Sequence, residues 1–138
     1  MNFNCSNGLK SMHARYVKEL LEQRVHPAAT SGCEFFNIRK CDKSRNYKGV
    51  HYHPMLLTAM RTKLCHTIGD SHGVAARGHT LTVGVCAEQH AANEVLNNIC
   101  PCCTAHIDVG SLVFSEAIRP KGKKTILPCS NCQTLFSK

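Results

Sequence analysis

The chain contains no tryptophan, and only 6% of its residues are aromatic. Its core must therefore be filled mainly by Leu, Ile, Val, Met and Ala. Acidic residues are also scarce: nine Asp and Glu stand against seventeen Lys and Arg, a formal charge of +8. That imbalance points to a polyanionic partner, with nucleic acid first. A basic surface with no specific partner is the plain alternative. No apolar run is long enough to cross a bilayer, so no membrane role is expected. Met1 to Lys10 is polar, with Phe3 and Leu9 its only strong apolar pair, so no signal peptide is read there. Internal repeats and low-complexity segments are missing too.

What the chain does have is cysteine, ten in 138 residues. Two readings compete: a secreted disulfide scaffold, or a protein of a reducing compartment with metal-bound and free thiols. The absence of a leader and the two C-x-x-C pairs, Cys100/Cys103 and Cys129/Cys132, favour the second. The expected place of action is therefore a cytoplasm. The length suits one domain, with an N-terminal helix and loops over 1–53 and a metal-binding core over 54–138.

Apolar residues at three- to four-residue steps (Leu9, Met12, Tyr16, Leu20, Leu21) predict a helix from Leu9 to Val25, ended by Pro27. His26 to Gly32 reads as a loop and Glu34 to Arg39 as a short strand. Lys40 to Tyr52 is a basic stretch with Tyr47 and Tyr52 between its charges, a composition that suits single-stranded nucleic acid or a solvated loop. Pro54 fits the first position of a helix running to Cys65. Thr80 to Val85 has the alternation of a strand, and Cys86 to Asn98 that of a helix. Asp108 to Ile118 is extended, Arg119 to Lys124 is a basic loop, Thr125 to Leu127 is a short strand, and Cys129 to Phe136 begins a last helix. The order strand, helix, strand, helix in the second half predicts an α/β sandwich.

The chemistry gathers at two helix starts. Cys86 stands at one, and Cys129 and Cys132, at i and i+3, lie on one face of the other. Helix N-termini favour thiolates. Three thiolates hold a Zn2+ ion and leave its fourth position open. Glu88, in the first turn after Cys86, is then placed to take a proton from an attacking water and pass it to a ring nitrogen and a leaving group. Such a carboxylate has no use in a closed structural site.

The pair Cys86-Ala87-Glu88 and Pro128-Cys129-Ser130-Asn131-Cys132 resembles the signature of the zinc nucleobase deaminases, H-x-E followed by P-C-x-x-C with Cys allowed as first ligand. The chain is therefore similar to the cytidine deaminase superfamily over about residues 70–136. Among its branches it is most like the deaminase domains of bacterial polymorphic toxins, in the manner of the YwqJ-like group. The resemblance implies a three-layer α/β/α sandwich around a small mixed sheet, one catalytic zinc, cytosine rather than adenine as the base, and a monomer. It also implies delivery within a larger toxin and an immunity protein as partner. Arg119, Lys121, Lys123 and Lys124 are the expected nucleic-acid contacts, a solvated loop being their plain alternative. Tyr52, His53, His72 and Ala87 are candidates for the substrate pocket. Two departures stand out. Only six residues follow Cys132, so the sheet should be smaller or completed by the N-terminal part. The Asn-containing strand motif of free-nucleoside deaminases has no nearer match than Phe36-Asn37-Ile38.

Two other readings remain open. One is a deaminase of free cytidine or a small nucleotide. The other is not an enzyme: Cys100/Cys103 and Cys129/Cys132, with 25 residues between the pairs, have the spacing of a four-thiolate zinc ribbon in a nucleic-acid-binding module. An intact helix would put Cys100 about 20 Å from Cys86, so both cannot ligate one ion. A second, structural ion at Cys100, Cys102, Cys103 and His106 is disfavoured by crowding. Cys5, Cys33, Cys41 and Cys65 are expected to be free.

Overall fold

A computed structural model describes residues 1–99 and 107–138. Cys100, Cys102, Cys103 and His106 lie outside the described residues. The fold is mixed α/β, with four α-helices and two antiparallel sheets among those residues. None of the helices is long and apolar enough to cross a membrane.

Helix α1 (Asn7–Glu22) starts at Ser6, whose hydroxyl accepts from the Leu9 N–H. Ser6 is itself pinned by Glu34, which takes its N–H at 2.7 Å and its hydroxyl at 2.7 Å. The buried stripe of α1 is Leu9, His13, Val17 and Leu20, so a histidine occupies a core position among aliphatics. Strands β1 (Thr30–Phe35) and β2 (Ile38–Lys43) form a full-length hairpin. Here the expected loop to Gly32 and the single strand from Glu34 to Arg39 give way to two strands around a turn at Phe36, whose φ is +52°.

Side chains alternate across β1. Thr30, Gly32 and Glu34 meet α1: Thr30 bonds His13, Glu34 bonds Ser6, and a side chain at Gly32 would strike Leu9. Cys33 points the other way, into the main apolar cluster with Ala91, Ala92 and Val95 of α3 (Ala87–Asn97). Helices α1 and α3 thus cover opposite faces of the β1–β2 hairpin.

Between them in sequence, α2 (Pro54–Ala59) begins at Pro54 as expected and continues as a π-helical turn (Met60–Leu64) that Cys65 ends in the left-handed conformation. The small hairpin of β3 (Ser71–Val74) and β4 (Thr80–Thr82) leads into α3. After α3 come β5 (Val113–Phe114), β6 (Ala117–Arg119) and β7 (Lys124–Ile126). Strands β5 and β6 both pair antiparallel with β1, and β7 pairs with β6, giving the order β2-β1-β6-β7. The sheet is therefore antiparallel where a mixed one was expected; among the described residues the single parallel contact is an isolated bridge from Asn2 to Val113. Its strands come from both ends of the chain. Helix α4 (Ser130–Leu135) closes the chain against β3 and the π-helical turn.

Candidate metal centre

Cys86 is the N-cap residue of α3 and Cys129 that of α4, each in extended backbone conformation. The two helix starts face one another. The Cys86 and Cys129 Sγ atoms are 3.2 Å apart, and the Sγ atoms of Cys86, Cys129 and Cys132 all lie within 4.8 Å of one another. Zn–S bonds of about 2.3 Å in a tetrahedron require sulfur atoms about 3.8 Å apart, so the donor set fits zinc with small adjustments. Of the seven cysteines among the described residues, only these three form such a group. Cys33 and Cys41 are free thiols whose acidity burial suppresses, Cys41 to about 12. Cys5 and Cys65 are free as well.

The three clustered thiols titrate as a set. Cys129 is the most acidic, pulled down by the thiols of Cys132 and Cys86 and by the backbone N–H groups of Cys132 and Asn131. Cys86 and Cys132 are pushed up, first by the hydrogen bond each donates to the Cys129 thiolate and also by burial; Cys132 is raised further by Cys86, whereas Cys132 opposes the rise at Cys86. A site that holds one thiolate readily and resists the next is what three converging sulfurs produce without a cation between them. A divalent cation would displace the remaining protons.

Glu88 stands in the first turn of α3 and is only 5% exposed. Burial raises its carboxyl to about 7, with the Cys129 thiolate adding to the effect and its own backbone N–H and the Cys132 thiol opposing it. It lines a cavity of about 690 Å³ together with Cys86, Ala87 and Cys129. The rest of the wall combines apolar side chains (Ala75, Ala76, Leu81, Val85, Leu127) with four cations, Arg45, Arg77, Arg119 and Lys124. Arg45 is paired with Asp42 at 2.9 Å.

Of the pocket candidates, Ala87 lines the cavity and three do not. Tyr52 is buried in the apolar cluster and donates its hydroxyl to the Gly84 carbonyl at 2.6 Å. His53 caps α2, its Nδ1 accepting from the Met55 N–H. His72 stacks on His66, with ring centroids 4.0 Å apart. Among the basic candidates, Arg119 and Lys124 face the cavity. Lys121 and Lys123 sit exposed in the turn from β6 to β7, outside its lining.

Several residues at the site carry no motif. Gln89 is fully buried; it accepts from the Gly84 N–H at 2.8 Å and turns its amide N–H toward Cys132 Sγ at 3.7 Å. Gly84 has φ +100°, and a Cβ there would lie 2.9 Å from Ile68 and 3.2 Å from the Tyr52 hydroxyl. Tyr52 and Gln89 therefore hold the turn just before Cys86 from two sides. Arg45 and Arg77 reach the cavity from loops, and only the adjacency of charge and aromatic residues around Arg45 hinted at it.

Comparison with known proteins finds no matching family model, curated protein or solved structure. The functional reading rests on the site itself.

Proposed function

We propose that this chain is a zinc-dependent hydrolytic deaminase that converts cytosine to uracil in nucleic acid, DNA ahead of RNA. One observation supports this above the others: a buried glutamate lines the same cavity as Cys86 and Cys129, two of three converging sulfurs, with the third, Cys132, buried behind them. Cys86, Cys129 and Cys132 would hold the metal. Zinc, when bound, supplies Lewis-acid activation of water for attack on an electron-poor ring carbon.

The chain's own groups supply the rest. Glu88, with its carboxyl poised near neutrality, moves a proton from the attacking water to the ring nitrogen and then to the departing amine. The balance is cytosine plus water giving uracil plus ammonia: a C–O bond forms at the ring carbon and its exocyclic C–N bond breaks. Ala75, Ala76, Ala87 and Val85 offer an apolar wall to a flat ring and exclude bulk water. Arg119 and Lys124, with Arg45 and Arg77, set positive charge around the cavity, where phosphates flanking an extruded base would lie.

In this reading the helices on the two faces of the hairpin are the outer layers of a cytidine deaminase-like α/β/α sandwich. Residues 1–53 complete the sheet of the core formed by 54–138. The toxin setting, with an immunity protein as partner and action as a monomer in a target cell's cytoplasm, is supported by the motif resemblance alone. Against the zinc-ribbon alternative, Cys86 meets Cys129 at 3.2 Å, a contact the ribbon does not require.

The test is to incubate the zinc-loaded protein with single- and double-stranded DNA, RNA and free cytidine at low and high salt, and to read the products by sequencing and chromatography. Uracil should appear in a polynucleotide, and its yield should fall steeply as salt rises. Conversion of free cytidine alone, indifferent to salt, would transfer the activity to nucleosides.

A further inference from the structure

The two residues between the ligands Cys129 and Cys132 do separate work. Ser130 Oγ accepts the Val74 N–H at 2.8 Å, and Asn131 Nδ2 donates to the His72 carbonyl at 2.7 Å. Both partners are on β3, on either side of Gly73. Gly73 has φ +85°, and a Cβ there would fall 2.3 Å from Asn131 Oδ1 and 2.4 Å from its Cγ. The Asn131 amide therefore fills the space that any other residue at position 73 would need. Asn131 is 1% exposed, and its Oδ1 has no hydrogen-bond partner, so the contact is a close steric fit on that side and a hydrogen bond on the other.

The strand held this way is not an ordinary edge. Five residues of the β3–β4 hairpin and its turn (Ala75, Ala76, Arg77, His79 and Leu81) line the cavity. The turn is closed by the Ala75 N–H to the His79 carbonyl at 2.9 Å and the Gly78 N–H to the Ala75 carbonyl at 2.8 Å. Within the hairpin the pairing is short, Ser71 with Thr82 and Val74 with Thr80, and it is irregular between them. Two cross-strand pairs give a ribbon little stability of its own. Backbone bonds from Val83 to Gly69 and Asp70 hold its base, and the attachment to the ligand turn holds the β3 side nearer the cavity.

We propose that Ser130 and Asn131 are positioning residues that fasten the β3–β4 hairpin to the metal-ligand turn, making that hairpin the substrate-selecting wall of the cavity. The substrate-selecting part rests on the deaminase reading; the fastening does not. The ligand turn then has two outputs. Its cysteines set the metal, and the residues between them set the distance from the metal to Arg77 and His79. A substitution at Ser130 should loosen what the cavity accepts without removing the metal.

Hydrogen exchange of the zinc-loaded full chain decides the fastening. Three proteins are compared: wild type, Ser130→Ala and Ser130→Thr, with Asn131→Ala added if it folds. Ser130 is exposed, so its alanine variant is expected to fold. Each lost hydrogen bond should speed exchange across residues 71–82 about fivefold. Zinc content should stay at the wild-type level, and Ser130→Thr, which keeps the hydroxyl, should restore wild-type exchange. Unchanged exchange in Ser130→Ala, or loss of zinc together with faster exchange throughout the chain, would overturn the fastening.

Steady-state kinetics on a cytosine-bearing oligonucleotide decide the selecting role. KM should rise about fivefold in Ser130→Ala, in line with one lost hydrogen bond, with kcat little changed. A fall in kcat at constant KM would overturn that role. If no substrate is turned over at all, the deaminase reading fails while the exchange result still stands by itself.

Discussion

Two buried polar clusters in this molecule use titratable side chains in opposite ways. On one face of the sheet, His13 takes a core position of α1 and uses both ring nitrogens: Nδ1 meets Ser115 Oγ at 2.7 Å and Nε2 meets Thr30 Oγ1 at 2.8 Å. The directions can be assigned. Thr30 donates its hydroxyl to the Ile118 carbonyl, so it must accept from Nε2–H. Ser115 accepts the Gly32 N–H, so its own hydroxyl is free to donate to Nδ1. The chain of bonds from Gly32 to Ile118 closes around a neutral imidazole, the form that burial of His13 also favours. On the other face, Cys86, Cys129, Cys132 and Glu88 converge without closing. The sulfurs crowd one another, Cys86 and Cys129 at 3.2 Å, and the carboxyl lines a cavity. A closed network fastens α1 to the sheet, whereas an open one leaves donors that could hold a metal ion. Burial alone does not separate the two; completeness does.

The sharpest way to break this contrast is to remove a sulfur. Cys86→Ala should abolish tight zinc binding, measured by metal analysis after dialysis, and lower the thermal midpoint of the metal-loaded protein. A zinc ribbon built on Cys100, Cys103, Cys129 and Cys132 would keep its metal in that variant.

The closed network should respond to acid instead. Burial lowers His13 to about 4 from 6.5. Its folded-state value lies below its unfolded one, so its contribution is complete above about pH 6.5. It is lost as pH falls toward 4, where the unfolded chain holds a proton that the folded chain refuses. At full extent this amounts to about 3 kcal/mol. Urea unfolding at pH 7.5 and pH 4 should show that loss in the wild type. In His13→Gln stability should change less with pH, so the two proteins should converge at the acid end. Parallel pH profiles would place the acid sensitivity elsewhere.

A smaller effect should follow at Gln89, which joins the two behaviours. It is closed toward Gly84 and open toward Cys132. Gln89→Leu should weaken zinc affinity about tenfold in competition with a chelator, as loss of outer-shell partners commonly does. Unchanged affinity would confine Gln89 to holding the Gly84 turn.

How much of this could be read from the residues depended on how local the cause was. Helix α3 was legible because its alanine-rich interior and its start at Cys86 are local signals, and Pro54 marked the start of α2 directly. The β1–β2 hairpin was not. Its first strand buries Thr30, Ser31 and Gly32, residues with no apolar alternation; Thr30 is partnered by the His13 imidazole and Gly32 by the Ser115 hydroxyl. Its turn uses Phe36, 85% exposed at positive φ, where glycine would have signalled the bend. Residues 40–43 looked like part of a basic loop because, of β2, only Asp42 is buried. At the site, the sulfurs and Glu88 followed from spacing, since two helix starts fix where their first turns point. Arg45, Arg77 and Gln89 did not, because their roles depend on distant parts of the chain meeting at one cavity. Tyr52 had the right chemistry for a pocket, but its hydroxyl is used to hold Gly84.

The most direct test of the central claim compares wild type with Glu88→Ala, both loaded with zinc and matched in metal content, on cytosine-bearing DNA, on RNA and on free cytidine. The account predicts uracil from the wild type and a rate at least about a thousandfold lower from the variant at equal zinc, the scale expected when a general acid–base group is lost. Wild-type protein that holds zinc yet converts no cytosine or adenine in any of these substrates would contradict it.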